Sequence, residues 1–97
     1  MKLVIVPAAL SELQDAAAFY TATADVELGL AFVSEFERAA RSLLENPQSG
    51  AIFRGTCRRF LLRRFPYSII YQLSREELRI IAVAHQRRRP AYWAGRR

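Results

Sequence analysis

Phe65-Pro66-Tyr67-Ser68-Ile69-Ile70-Tyr71-Gln72-Leu73, then Ser74-Arg75-Glu76-Glu77, then Leu78-Arg79-Ile80-Ile81-Ala82-Val83-Ala84-His85 reads as two strands around a polar turn. β-Branched and aromatic residues dominate both runs, and such residues suit a pleated surface. With Leu73 opposite Leu78, one face of the hairpin carries Tyr67, Ile69, Tyr71 and Leu73 beside Leu78, Ile80, Ala82 and Ala84. That face is almost wholly apolar and is expected to meet helices. The other face carries Ser68, Ile70 and Gln72 beside Arg79, Ile81, Val83 and His85. This register places His85 on the side away from the helices, next to Arg87-Arg88-Arg89. A slip of one residue would bury Arg79 and expose Tyr71.

The segments upstream supply the helices. Leu3-Val4-Ile5-Val6 is a short strand stopped by Pro7. Ala9, Leu13, Ala16, Ala17 and Tyr20 then recur at helical spacing. After a break at residues 21–25, Asp25 can cap a second helix whose apolar stripe is Leu28, Phe32, Phe36, Ala39 or Ala40, and Leu43. Asn46-Pro47 and Gly50 end it. A short connection makes the two helices an antiparallel hairpin. From Gly50 onward the chain reads as strand, with Arg58–Arg64 preceding the hairpin. Pro90-Ala91-Tyr92-Trp93 can form a terminal helical turn. The order β-α-α-β-β-β predicts one α+β domain over residues 1–97, an antiparallel sheet with a helical hairpin packed on one face.

Charge is divided between the halves. Residues 50–97 hold twelve arginines against Glu76 and Glu77, while residues 1–49 hold Lys2, Arg38 and Arg41 against seven acids. Such a field draws a polyanion or an acidic protein to one end of the molecule. Arginine pairs two-pronged with phosphate or carboxylate and stacks on rings. Cys57 is the single cysteine, which excludes an internal disulfide and a thiolate metal cluster. Glu12, Asp15 and Glu27 have no convergent spacing, and the scattered glycines form no phosphate loop. No metal or cofactor is expected. No apolar run approaches the roughly 18 residues that span a bilayer. The N-terminal run lacks the length and cleavage site of a signal peptide, so a cytoplasmic protein without membrane contact is expected.

Arg63-Arg64-Phe65-Pro66-Tyr67-Ser68-Ile69-Ile70-Tyr71-Gln72-Leu73, the polar turn and Ile80-Ile81-Ala82-Val83-Ala84-His85-Gln86-Arg87-Arg88-Arg89-Pro90-Ala91-Tyr92-Trp93 resemble the RelE/ParE superfamily of type II toxin–antitoxin toxins. The early strand, the helical hairpin and the Glu45-Asn46-Pro47 helix stop extend the likeness over the whole chain. The resemblance implies a microbial-RNase-like fold and a hetero-oligomer with a cognate antitoxin, which would also carry any contact with operator DNA. It implies one of two activities. RelE-like members cut mRNA on the ribosome; ParE-like members inhibit DNA gyrase.

For cleavage, a base must take the 2′-hydroxyl proton, cations must hold the phosphate, and an acid must serve the leaving oxygen. His85, Arg64 and Tyr92 are the candidate catalytic residues for that chemistry. Two expected basic positions of the nuclease pattern are instead Ser68 and Leu61. Gyrase inhibition needs only a docking surface, for which Arg59, Arg87, Arg88, Arg89 and Trp93 are candidates, since arginine and aromatic anchors dominate interfaces. The sequence therefore favours a ParE-like gyrase inhibitor. A ribosome-dependent mRNA endonuclease is the alternative, and a non-catalytic nucleic-acid- or protein-binding module the second.

Overall fold

The computed structural model describes residues 1–96; Arg97, counted in the charge above, lies outside them. The elements run β1 (Lys2–Ile5), α1 (Pro7–Thr23), α2 (Val26–Glu45), β2 (Ala51–Arg54), β3 (Cys57–Leu61), β4 (Tyr67–Leu73) and β5 (Glu77–His85). Pro7 starts α1, where its missing N–H costs nothing. Asp25 caps α2 by accepting from the Leu28 N–H at 2.7 Å. Asn46 closes that helix as expected.

The two helices pack on one face of a five-stranded sheet of order β1-β5-β4-β3-β2. Most of it is antiparallel, but β1 runs parallel to β5, so the sheet is mixed. β2 is a strand the sequence reading did not separate. It pairs with β3 around Gly55-Thr56, and Gly55 takes a left-handed φ of 57°. Gly-Thr is not one of the strong hairpin dipeptides, which is why the turn passed as part of a continuous run.

The core joins the stripes of both helices to β4 and β5. Ala9, Leu13 and Ala16 of α1 and Phe32, Phe36 and Leu43 of α2 are buried, with Ile69, Tyr71, Leu78 and Ile80 beneath them. Tyr20, Phe32, Phe65 and Tyr67 form an aromatic cluster with centroids 5.0–6.4 Å apart. Tyr71 lies wholly inside; its hydroxyl donates to the Pro47 carbonyl at 2.7 Å and accepts from the Gly50 N–H at 2.9 Å. That pairing ties the α2–β2 loop to the sheet. A Cβ at Gly50 would collide with the Tyr71 ring.

The β4–β5 register departs from the expected one in its second half. Leu73 faces Leu78, Gln72 faces Arg79 and Tyr71 faces Ile80, as the sequence implies. Ile70 then faces Ala82 rather than Ile81, and the pairing runs on to Tyr67 opposite His85. Ile81 is the extra residue of a β-bulge. Because side chains alternate between faces, one inserted residue exchanges the faces of everything after it. Ala82 and Ala84 move to the face away from the helices, and Val83 and His85 to the helix face. The expected placement of His85 on the outer side is thereby corrected: its ring packs edge-on against Tyr67 at 4.9 Å, half-buried at the rim of the helical layer.

Candidate functional site

The bulge leaves backbone groups that need partners. β1 pairs with β5 only as far as Ile80, whose carbonyl accepts from the Val6 N–H. Past that point the edge of β5 is bare. An unpaired backbone group inside a protein is costly, so the edge must be satisfied by something else. Glu12 of α1 accepts from the Val83 N–H at 3.1 Å. Arg96 donates to the Ile81 carbonyl at 3.1 Å and to Glu12 Oε1 at 2.7 Å. The Tyr92 hydroxyl donates to Glu12 Oε2. One carboxylate thus joins α1, β5 and the C-terminal segment.

That segment, residues 86–96, follows the last strand as a series of turns. The Arg88, Tyr92, Ala94 and Arg96 N–H groups each donate to the carbonyl of the residue three before. Ala91 takes φ 61° and Gly95 φ 90°, which lets the chain curl across the end of the sheet. Trp93 folds inward and is 3% exposed, with the Phe53 ring 6.1 Å away. Arg59 lies over the Phe53 ring, its guanidinium 4.4 Å from the ring centre.

Between the segment and the outer sheet face lies a groove of about 280 Å3. Arg59, Arg88 and Arg89 supply its positive charge, and Phe53, Leu61 and Ile70 its apolar floor and rim. Ser68 and Ala84 keep the floor low. Arg88 lies over the Tyr92 ring at 4.0 Å from the centroid, a cation–π contact. Arg96 approaches the same ring at 5.2 Å.

Of the three candidate catalytic residues, His85 and Tyr92 line the groove together, and Arg64 lies apart. His85 borders the groove, but its Nδ1 accepts from the Arg87 N–H at 3.0 Å. That bond occupies the Nδ1 lone pair. Burial pushes the Tyr92 phenol well above the usual tyrosine range, and the hydrogen bond to Glu12 raises it further. It stays protonated and committed to Glu12. Arg64 lies in the β3–β4 loop with φ 72°, its guanidinium 5.4 Å from the Phe65 ring. It lines a separate hollow with Glu35, Arg38 and Arg63 and does not border the groove.

Of the docking candidates, Arg59, Arg88 and Arg89 meet around the groove, and Arg87 is exposed outside it. Trp93 borders the groove too, but as a core residue rather than an exposed anchor. Arg58 serves the fold, donating to the Gln48 and Gly50 carbonyls. Glu35 of α2 accepts from the Arg63 N–H at 2.6 Å, which ties the β3–β4 loop to the helix, and its ion pair is with Arg38. Sequence reasoning missed Glu12. The signal was available: Glu12 stands between Ala9, Leu13 and Ala16 in the apolar stripe of α1, and an acid there calls for a specific partner.

The family profile described as "ParE toxin of type II toxin-antitoxin system, parDE" matches residues 3–90. Among curated proteins, none matches the chain. Among solved structures, one titled "Chromosomal ParDE TA system from P. aeruginosa" is similar at a TM-score of 0.78 and 20% identity, over 88% of this chain and 95% of the other. That likeness concerns the fold alone.

Proposed function

The chain belongs to the ParE toxin family of type II toxin–antitoxin systems, and from that membership we propose that it arrests growth by docking on DNA gyrase. The docking surface is the segment 86–96 with the adjoining groove. The observation that carries this reading is the commitment of both groups a nuclease would need. His85 Nδ1 is occupied by the Arg87 N–H, and the Tyr92 hydroxyl by Glu12. What remains available is a fixed basic surface, which serves binding rather than proton transfer.

A cognate antitoxin is the neutralising partner, as in the P. aeruginosa system whose title names both members. Against so basic a surface, an acidic and apolar segment of the antitoxin is the complementary chemistry. Contact with operator DNA runs through the antitoxin. The complex works in the cytoplasm, where gyrase is found; among the described residues no helix is long and apolar enough to cross a membrane.

Two assays on purified toxin test the proposal. Added to gyrase and relaxed plasmid, the protein should block supercoiling, and His85→Ala should block it equally well. Added to a ribosomal translation mixture, it should leave mRNA intact. Cut mRNA that disappears with His85→Ala would instead establish the endonuclease.

A further inference from the structure

We propose that Glu12 is the positioning residue of the docking surface, holding the Arg88 guanidinium in place through Tyr92. This rests on the reading that segment 86–96 contacts the target. Glu12 is fixed from behind, because the same carboxylate accepts from the Val83 N–H of the sheet. Its second oxygen takes the Tyr92 hydroxyl and so sets where the phenol ring lies. The ring face in turn carries Arg88 at 4.0 Å. Arg96, bonded to Glu12 and to Ile81, fixes the far end of the segment.

The physical consequence is pre-organisation. A free surface arginine loses rotamer freedom when it docks, and that loss weakens binding. An arginine already resting on a ring has lost much of it beforehand. The ring helps only while it is itself held, and Glu12 supplies that restraint from a helix. Arg87 and Arg89, neighbours in sequence, are exposed without such a support among the described contacts. Arg88 is therefore the member of the triplet that the fold presents in one orientation.

The test uses full-length toxin in the gyrase supercoiling assay and, separately, growth arrest on expression without antitoxin. Glu12→Gln and Tyr92→Phe should each raise the concentration for half-inhibition by about tenfold, the size expected for one charge-assisted hydrogen bond. Glu76→Gln, which removes an equal charge from the exposed β4–β5 turn, should not. In an Arg88→Gln background the two substitutions should have no further effect, because they act through Arg88. A merely structural role would keep its full effect there. Should Glu12→Gln fail to fold, Tyr92→Phe, which deletes a single oxygen, decides alone.

Wild-type inhibition by both variants, or full additivity with Arg88→Gln, would overturn the inference. A wild-type chain that leaves gyrase untouched but arrests growth sinks the gyrase reading alone. The same variants are then scored on growth, where loss upholds Glu12 and no change refutes it. A wild-type chain that does neither overturns both.

Discussion

The carboxylate of Glu12 and the backbone amide of Val83 are 71 residues apart in the chain and 3.1 Å apart in space. The contact exists because β1 stops at Ile5 while β5 continues to His85. A helix side chain does there what a neighbouring strand would otherwise do.

Replacing that carboxylate with a methyl group exposes its importance. Glu12→Ala leaves the Val83 N–H and the Tyr92 hydroxyl without their acceptor and Arg96 with the Ile81 carbonyl alone. A loss of about 2–3 kcal/mol of folding stability is expected. Urea unfolding should show a lower midpoint, and hydrogen exchange at the Val83 amide should quicken more than at Ile69 in the sheet centre.

Trp93 is the single tryptophan, so its fluorescence reports one site. At 3% exposure, its emission should be blue-shifted and poorly quenched by acrylamide, moving to the red on unfolding. Trp93→Ala should destabilise the fold by about 3 kcal/mol or more. Its effect on toxicity should then follow the folded fraction, which expression level and thermal unfolding would show together.

The exposed triplet behaves differently. Arg87, Arg88 and Arg89 are all at the surface, and replacing them with glutamine should leave the melting temperature nearly unchanged. Association with the target should slow, and the remaining binding should depend less on salt, because screened long-range attraction is what was removed. Binding kinetics at two ionic strengths check this; identical salt dependence of wild type and variant would count against a target docked at this end.

Stability at acid pH should reflect Glu35. The Arg38 guanidinium hydrogen-bonded to it holds its carboxyl below the usual range; burial opposes this, and the Arg63 N–H adds to it. A folded-state pKa below the unfolded one means stability that is present above the unfolded value and fades as pH falls through the folded one. Wild type should therefore lose more stability than Glu35→Gln as pH falls through and below the ordinary glutamate range. Equal slopes for the two proteins would refute the assignment.

Much of the fold was legible in local pattern. Leu13, Ala16, Phe32, Phe36 and Leu43 lie on stripes of helical period, and every one of them is buried. Asp25 and Asn46 mark the ends of α2 because capping and helix-stop chemistry act within a few residues. The β2–β3 turn was missed for want of a recognisable dipeptide. The grouping of Arg59, Arg88 and Arg89 was foreseeable as charge but not as a groove, since Arg59 reaches it only through strand pairing.

By itself the sequence determined the first strand, the helical hairpin and the closing β4–β5 ribbon, the helical stripes, the basic second half and the pairing of Leu73 with Leu78, all set by neighbours along the chain or by turn geometry. Only the tertiary structure decided the bulge at Ile81, the face on which His85 lies and the partner of Glu12. Alternation carries no register information where both faces are covered, and the run Ile80-Ile81-Ala82-Val83 is buried throughout, packed by helices on one side and bordered by the Trp93 segment on the other. In such a stretch, groups distant in sequence choose the register by satisfying the backbone atoms it exposes.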